Sequence, residues 1–163
     1  MKVLSTPIKR SKQLAPLSRE HHETLLFAWK IRQGKKYGTS SEIIVSYCNW
    51  FWENHLQDHF KKEEQVFSTI ISIDHPIMIK MLDDHEAIKI KLKQLSEFPT
   101  DEGFDRLAEI IIYHVQFEER DLFNYVEQIA TPEQLNSIAV SLNDDKSKFL
   151  PWNHWFWIKN RQN

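Results

Sequence analysis

Apolar residues recur at helical spacing through most of the chain. Leu25, Leu26 and Trp29 form the stripe of a first helix predicted over Ser18–Gln33. Pro16 and Ser18 are its start signals, Glu20 suits its positive end, and Gly34 is its expected stop. A second helix is predicted over Ser40–Ser68, opened by a Thr39–Glu42 capping box. Its inner stripe reads Val45, Cys48, Trp52, His55, Leu56, His59, Glu63 and Val66. A third spans Pro76–Glu97, capped by Asp74, with Met78, Met81, Leu82, His85, Ile88, Leu92 and Leu95 inward. A fourth starts at Thr100 or Asp101 and runs to Ile129, with His114 and Glu118 on a face shared with Leu107, Ile110, Ile111 and Leu122. Thr131, Pro132 and Gln134 open a short helix to about Leu142. Four long amphipathic helices on short loops predict an all-α, up-down-up-down four-helix bundle over residues 16–130. Residues 1–15 read as a mobile lead, and 131–163 as a short helix and aromatic tail packing on the bundle. No strand alternation and no internal repeat is evident.

Composition narrows the class. The chain has 163 residues and a formal net charge of −2, so it lacks the basic field of a nucleic-acid-binding protein. One cysteine, Cys48, precludes an internal disulfide and is compatible with a reducing compartment. No apolar run is long enough to cross a bilayer, and the first dozen residues are basic without the apolar core of a signal peptide. The expectation is a soluble, cytoplasmic protein.

Histidine placement changes the picture further. Each predicted long helix carries a histidine on its inner stripe: His22 or His21, then His59, His85 and His114. Glu63 follows His59 by four residues, and Glu118 follows His114 by four, so each pair shares a helix face. Imidazoles and carboxylates on apolar stripes are costly to bury unless paired or bound to metal. Four imidazoles and two carboxylates converging at one level of a bundle suit a pair of metal ions bridged by the carboxylates. Nitrogen and oxygen donors without thiolate suit iron first, with manganese or zinc as alternatives. The plain reading of any one of these histidines is a hydrogen-bonded core residue. The coincidence across four helices favours the metal.

These residues carry a resemblance. Pro16-Leu17-Ser18-Arg19-Glu20-His21-His22, His59-Phe60-Lys61-Lys62-Glu63-Glu64, Asp84-His85-Glu86 and His114-Val115-Gln116-Phe117-Glu118-Glu119-Arg120 together resemble the hemerythrin-like, or HHE cation-binding, proteins. The resemblance implies a four-helix bundle with a non-heme di-iron centre. Family members bind dioxygen reversibly, sense oxygen or redox state, handle nitric oxide, or sequester iron. The chain departs from the oxygen carriers, which have two histidines one turn apart on the third helix; here Met81 and Lys89 flank His85. His55, one turn before His59, is a substitute ligand, a gate or an outer partner, with the last preferred. His22 is preferred over His21 because it shares a face with Leu25, Leu26 and Trp29. Glu118 is preferred over Glu119, and Glu64, Glu86 and Glu119 are expected to be solvated or to support the ligands from outside.

The expected function is a metal-binding protein whose di-iron centre takes dioxygen, peroxide or nitric oxide, as a sensor or a handler of iron and redox state. The alternatives are a di-iron enzyme of peroxidase or nitric-oxide-processing type, or a metal-free helical module that binds partners. Trp152, Trp155, Phe156 and Trp157 are costly to leave bare. They are expected to cover one end of the bundle with the short helix, or else to dock a second copy of the chain as a homodimer.

Overall fold

The computed structural model describes residues 9–143 and 151–159. Helix α1 is Ala15–Lys36. Helix α2 is one rod over residues 41–67, α-helical in Ser41–Phe51 and Gln57–Phe67, with a wide π-helical turn at Trp52–Leu56 between them. Helix α3 is Pro76–Glu97. Helix α4 covers 101–129, with Asp101–Phe117 and Phe123–Ile129 flanking a second π turn at Glu118–Leu122. Helix α5 is Pro132–Asn143. The architecture is all-helical, and the long helices pack as a square in chain order, α4 closing back on α1. Among the described residues no helix is long and apolar enough to cross a membrane.

Local chemistry accounts for the helix ends, with three shifts from expectation. Ser40, not Thr39, caps α2: its side chain accepts from the Ile43 N–H. His75, not Asp74, caps α3, with Nδ1 accepting from the Ile77 N–H at 3.1 Å. Gly34 does not stop α1, which ends a turn later before Gly38 at φ 75°. Thr100 caps α4 through the Gly103 N–H. Thr131 and Gln134 form the expected reciprocal box before α5, at 3.1 and 2.9 Å.

The inner face of α1 differs from the expected one. Leu17, His21, Thr24, Phe27, Ala28, Ile31 and Gly34 are buried, whereas Leu25 and Trp29 are 38% and 48% exposed. Leu25 and Trp29 therefore mark the outer face, not the inner one. On α2 the π turn adds one residue to the winding. The buried positions step from Phe51 to Leu56, and the half of the stripe before the turn is Ile44, Tyr47, Cys48 and Phe51 rather than Val45, Cys48, Trp52 and His55.

Two apolar clusters fill the bundle. One, around Phe27, Ile31, Phe51, Phe60, Leu92, Phe104 and Ile111, occupies the end where α1 and α3 finish. The other, around Leu14, Leu17, Phe67, Met81, Leu122, Phe123 and Val126, occupies the opposite end. The short helix and the aromatic tail sit at opposite ends rather than together. Ile138 of α5 enters the second cluster, and Phe156 enters the first. Phe156 is fully buried against Gly34, where an added Cβ would stand 2.7 Å from the ring. Lys30 covers the Trp157 ring at 4.2 Å. Residues 9–14 do not form a mobile lead. Leu14 is fully buried, and the Ser11 N–H donates to Glu127 at 2.5 Å. Residues 1–8 and 144–150, parts of the expected lead and tail, lie outside the described residues.

Phe156→Ala should lower stability by about 3–5 kcal/mol, the cost of emptying a buried aromatic site. Denaturant unfolding checks this; an unchanged midpoint would mean the tail does not hold that end of the bundle.

Candidate metal centre

Every long helix crosses from one apolar cluster to the other, and each places polar side chains at the crossing. His21 comes from α1, His59 and Glu63 from α2, His85 from α3, and His114 and Glu118 from α4. All six are buried, the two carboxylates completely. Their ligand atoms form two groups: Glu63, His85, His114 and Glu118, and His21, His59 and Glu63. Within each group the atoms lie within 4.8 Å of one another, and Glu63 belongs to both. The four Nε2 atoms and all four carboxylate oxygens lack a hydrogen-bond partner. His59 Nε2 is 2.9 Å from Glu63 Oε1 without the alignment of a hydrogen bond, and His114 Nε2 abuts Glu118 Oε1. Glu118 also links the groups: its Oε1 is 3.5 Å from His85 and its Oε2 is 3.9 Å from His21.

The outer nitrogens behave differently. Each Nδ1 meets a carboxylate: Glu119 for His21 at 2.7 Å, Glu20 for His59 at 2.6 Å, Glu64 for His85 at 2.8 Å and Asp84 for His114 at 3.2 Å. A carboxylate at Nδ1 holds a proton there and aims Nε2 inward. The partners run in a circuit. The acid of α1 serves the imidazole of α2, that of α2 serves α3, that of α3 serves α4, and that of α4 returns to α1. The circuit also exposes a repeat that apolar spacing hides. An acid-histidine pair, then His-x-x-x-Glu-Glu on the next helix, occurs as Glu20-His21 with His59 to Glu64, and again as Asp84-His85 with His114 to Glu119.

Electrostatics follow from this packing. Burial alone would lower the histidine pKa values, but the surrounding carboxylates reverse its effect. Contact with Glu119 and Glu63 raises His21 to about 9. The Glu63 charge and the Glu20 contact raise His59 to about 10. Glu118, Glu63 and Glu64 raise His85 to about 11, and Glu118 and Asp84 raise His114. Glu63 is held well below the usual carboxylate range: burial opposes this, and the His59 charge with the Glu118 and His21 contacts prevails. The surrounding carboxylates thus favour the protonated form of the four inward imidazoles.

Aromatic rings seal the belt. Phe60 stacks on His85 at 3.8 Å between centroids and meets His114 edge-on, while Phe123 stacks on His21 at 5.2 Å. A cavity reaches its edge: about 360 Å³ in volume, between α1 and α2 and walled by Arg19, Thr24, Phe51 and His55, it ends at Glu20 and His59. A larger cavity of about 440 Å³, between α2 and α5, touches none of the four inward imidazoles.

The sequence-derived candidates sort accordingly. The structure brings together His21, His59, Glu63, His85, His114 and Glu118. His22, the preferred histidine of α1, is exposed beside Leu25 and Trp29 and points away, because the inner face of α1 is one residue off the expected one. His55 is in neither group; it stands on the cleft wall against Phe51. Glu119 is an outer partner, as is Glu64, whereas Glu86 is exposed. Met81 is buried in the apolar cluster and Lys89 is exposed. The roles of Glu20 and Asp84 were not anticipated. The signal for both was an acid immediately before an inward histidine.

A scan against family models matches residues 14–126 to the hemerythrin HHE cation-binding domain. The chain belongs to that family. No curated protein and no solved structure matches it significantly. Membership in the hemerythrin HHE family suggests cation binding, iron being typical, and the buried His/Glu belt supplies candidate ligands. The donor set fits such a metal. Eight inward nitrogen and oxygen atoms without hydrogen-bond partners are what a buried site for hard or borderline cations requires.

The raised histidines set a pH dependence. Their pairing stabilises the metal-free fold fully below the ordinary histidine value of 6.5, and this is lost as pH rises through about 9 to 11. The melting temperature of metal-free protein should therefore fall across that window. Metal held through the Nε2 atoms would leave no proton there to lose, so metal-loaded protein should not show this drop; differential scanning calorimetry of both forms is the check.

Proposed function

We propose that the belt holds a non-heme di-iron centre that binds dioxygen or a related small oxidant, and that the protein acts as a sensor or a handler of iron and redox state. The observation that carries this is the double grouping of unpartnered ligand atoms, with Glu63 in both groups and Glu118 reaching across them. His21 and His59 would hold one ion, and His85 and His114 the other. Both carboxylates would bridge them. Two ions account for four imidazoles better than one does. Manganese or zinc suits the same donors. Bound iron would supply open coordination positions and reversible one-electron chemistry.

The chain's own residues set the terms of that chemistry. Glu20, Glu64, Asp84 and Glu119 orient the imidazoles and strengthen them as donors. Phe60 and Phe123 keep water from two of the rings. The cleft past Arg19 and His55 gives a small ligand its way in, with His55 as the gate. Met81 and Lys89 flank His85 where the oxygen carriers have a second histidine one turn away, so the centre would have fewer nitrogen donors than theirs. Fewer donors favour ligand exchange over reversible carriage. That same feature favours the second reading, an enzyme consuming peroxide or nitric oxide. Turnover faster than free iron gives separates the two.

Reconstitution with ferrous iron without oxygen, then oxidation, should give about two irons per chain and a visible charge-transfer band. Glu63→Ala should cut iron content sharply while leaving the helical circular dichroism signal in place. A purified protein that takes up no metal on reconstitution would sink the proposal in favour of a metal-free module.

A further inference from the structure

Of the four outer carboxylates, Glu119 is held most extensively. Glu20 has Lys62 at 3.5 Å, and Asp84 has the exposed Lys80 at 3.0 Å. Glu119 accepts from Ser18 Oγ at 2.7 Å and also from Arg10, which comes from outside the bundle. Arg10 lies before residue 14, where the family match begins, so it is not part of the shared domain. Its side chain is 7% exposed. Nη2 donates to the Glu119 Oε2 carboxylate atom at 3.0 Å and to the Glu119 backbone carbonyl at 2.5 Å. Nη1 donates to Asn124 Oδ1 at 3.2 Å and to Glu127 Oε1. The guanidinium also lies over the Phe123 ring at 5.2 Å. Glu119 and Phe123 both hold the His21 ring, one at Nδ1 and the other by stacking.

We infer that Arg10 is a positioning residue for His21, holding through Glu119 and Phe123 the one inward imidazole that α1 supplies. The inference rests on the proposed centre for its metal readout but not for its structural one. Glu119 lies within the π turn at Glu118–Leu122 and Phe123 follows it directly, so Arg10 also ties the widened winding to the helix beyond it. A planar guanidinium suits this task. It offers several donors in a fixed fork and a flat face for the ring, where an ammonium offers a single point. Arg10→Lys should therefore fail to restore what Arg10→Met removes.

The test compares wild type, Arg10→Met, Arg10→Lys and Glu127→Ala. The last loosens the anchor of residues 10 and 11 while leaving the Arg10–Glu119 contact. Ferrous iron is titrated anaerobically, and the imidazole nitrogen resonances of metal-free protein are recorded. Loss of an outer partner typically weakens metal binding about 10–100-fold, so both Arg10 variants should lose about tenfold in affinity for one ion and keep the other. In metal-free protein the His21 nitrogen resonances should shift, with those of His85 and His114 unchanged as evidence of an intact fold. Wild-type affinity with unmoved His21 resonances would overturn the inference. Equal loss in Glu127→Ala would also overturn it, since Arg10 would then serve only to anchor the chain. Should wild type bind no iron, the di-iron reading falls, and the His21 resonances still decide the role of Arg10.

Discussion

The bundle is organised around a belt of six ionisable side chains buried between two apolar clusters. Taking a carboxylate or an imidazolium out of water costs several kcal/mol even after relaxation. Glu63 and Glu118 are completely buried, and the four imidazoles nearly so. Such a belt is stable only if opposite charges meet at close range or a cation replaces the protons. Every other feature of the core answers to this constraint. The helices cross the belt at one level, the outer acids sit at Nδ1, and the phenyl rings of Phe60 and Phe123 close over the imidazoles.

The legibility of this arrangement in the sequence follows the same physics. A histidine four residues before a glutamate on an apolar stripe is a strong local signal, which is why His59 with Glu63, and His114 with Glu118, are readable from spacing alone. The α3 boundaries, Pro76–Glu97, are equally readable, since a first-turn proline and a Phe-Pro stop frame them. On α1 the signal misleads. Leu25, Leu26 and Trp29 outweigh Phe27, Ala28 and Ile31 in bulk, so the apparent apolar face lies one residue off and favours His22 over His21. Small buried residues, Thr24, Ala28 and Gly34, mark the true inner face. Hydrophobicity undervalues them because small side chains offer little apolar area.

The π turns hide more. A wide turn advances the winding by one residue, so no single 3.6-residue period fits both halves of α2. An uninterrupted period places His55 inward and Phe51 outward, whereas the turn at Trp52–Leu56 puts Phe51 in the core and His55 at the cleft. Neither Gly nor Pro announces that turn. The partners of the outer nitrogens were also obscure, since each link joins different helices. Glu20 reads locally as a favourable charge near a helix start, and only the square of helices brings it to His59.

The closed circuit of acids and imidazoles has a consequence for how the helices find their alignment. Each long helix takes part in two links, one through its acid and one through its histidine. Sliding any helix by a single turn, about 5.4 Å, breaks both at once and strands four polar groups in a dry interior. Apolar side chains at regular spacing tolerate such a slide, because one leucine can replace another in a given hole. The polar circuit does not, and it thereby acts as a vernier: coarse hydrophobic packing assembles the four rods, and the carboxylate-imidazole links select the one setting in which all of them close.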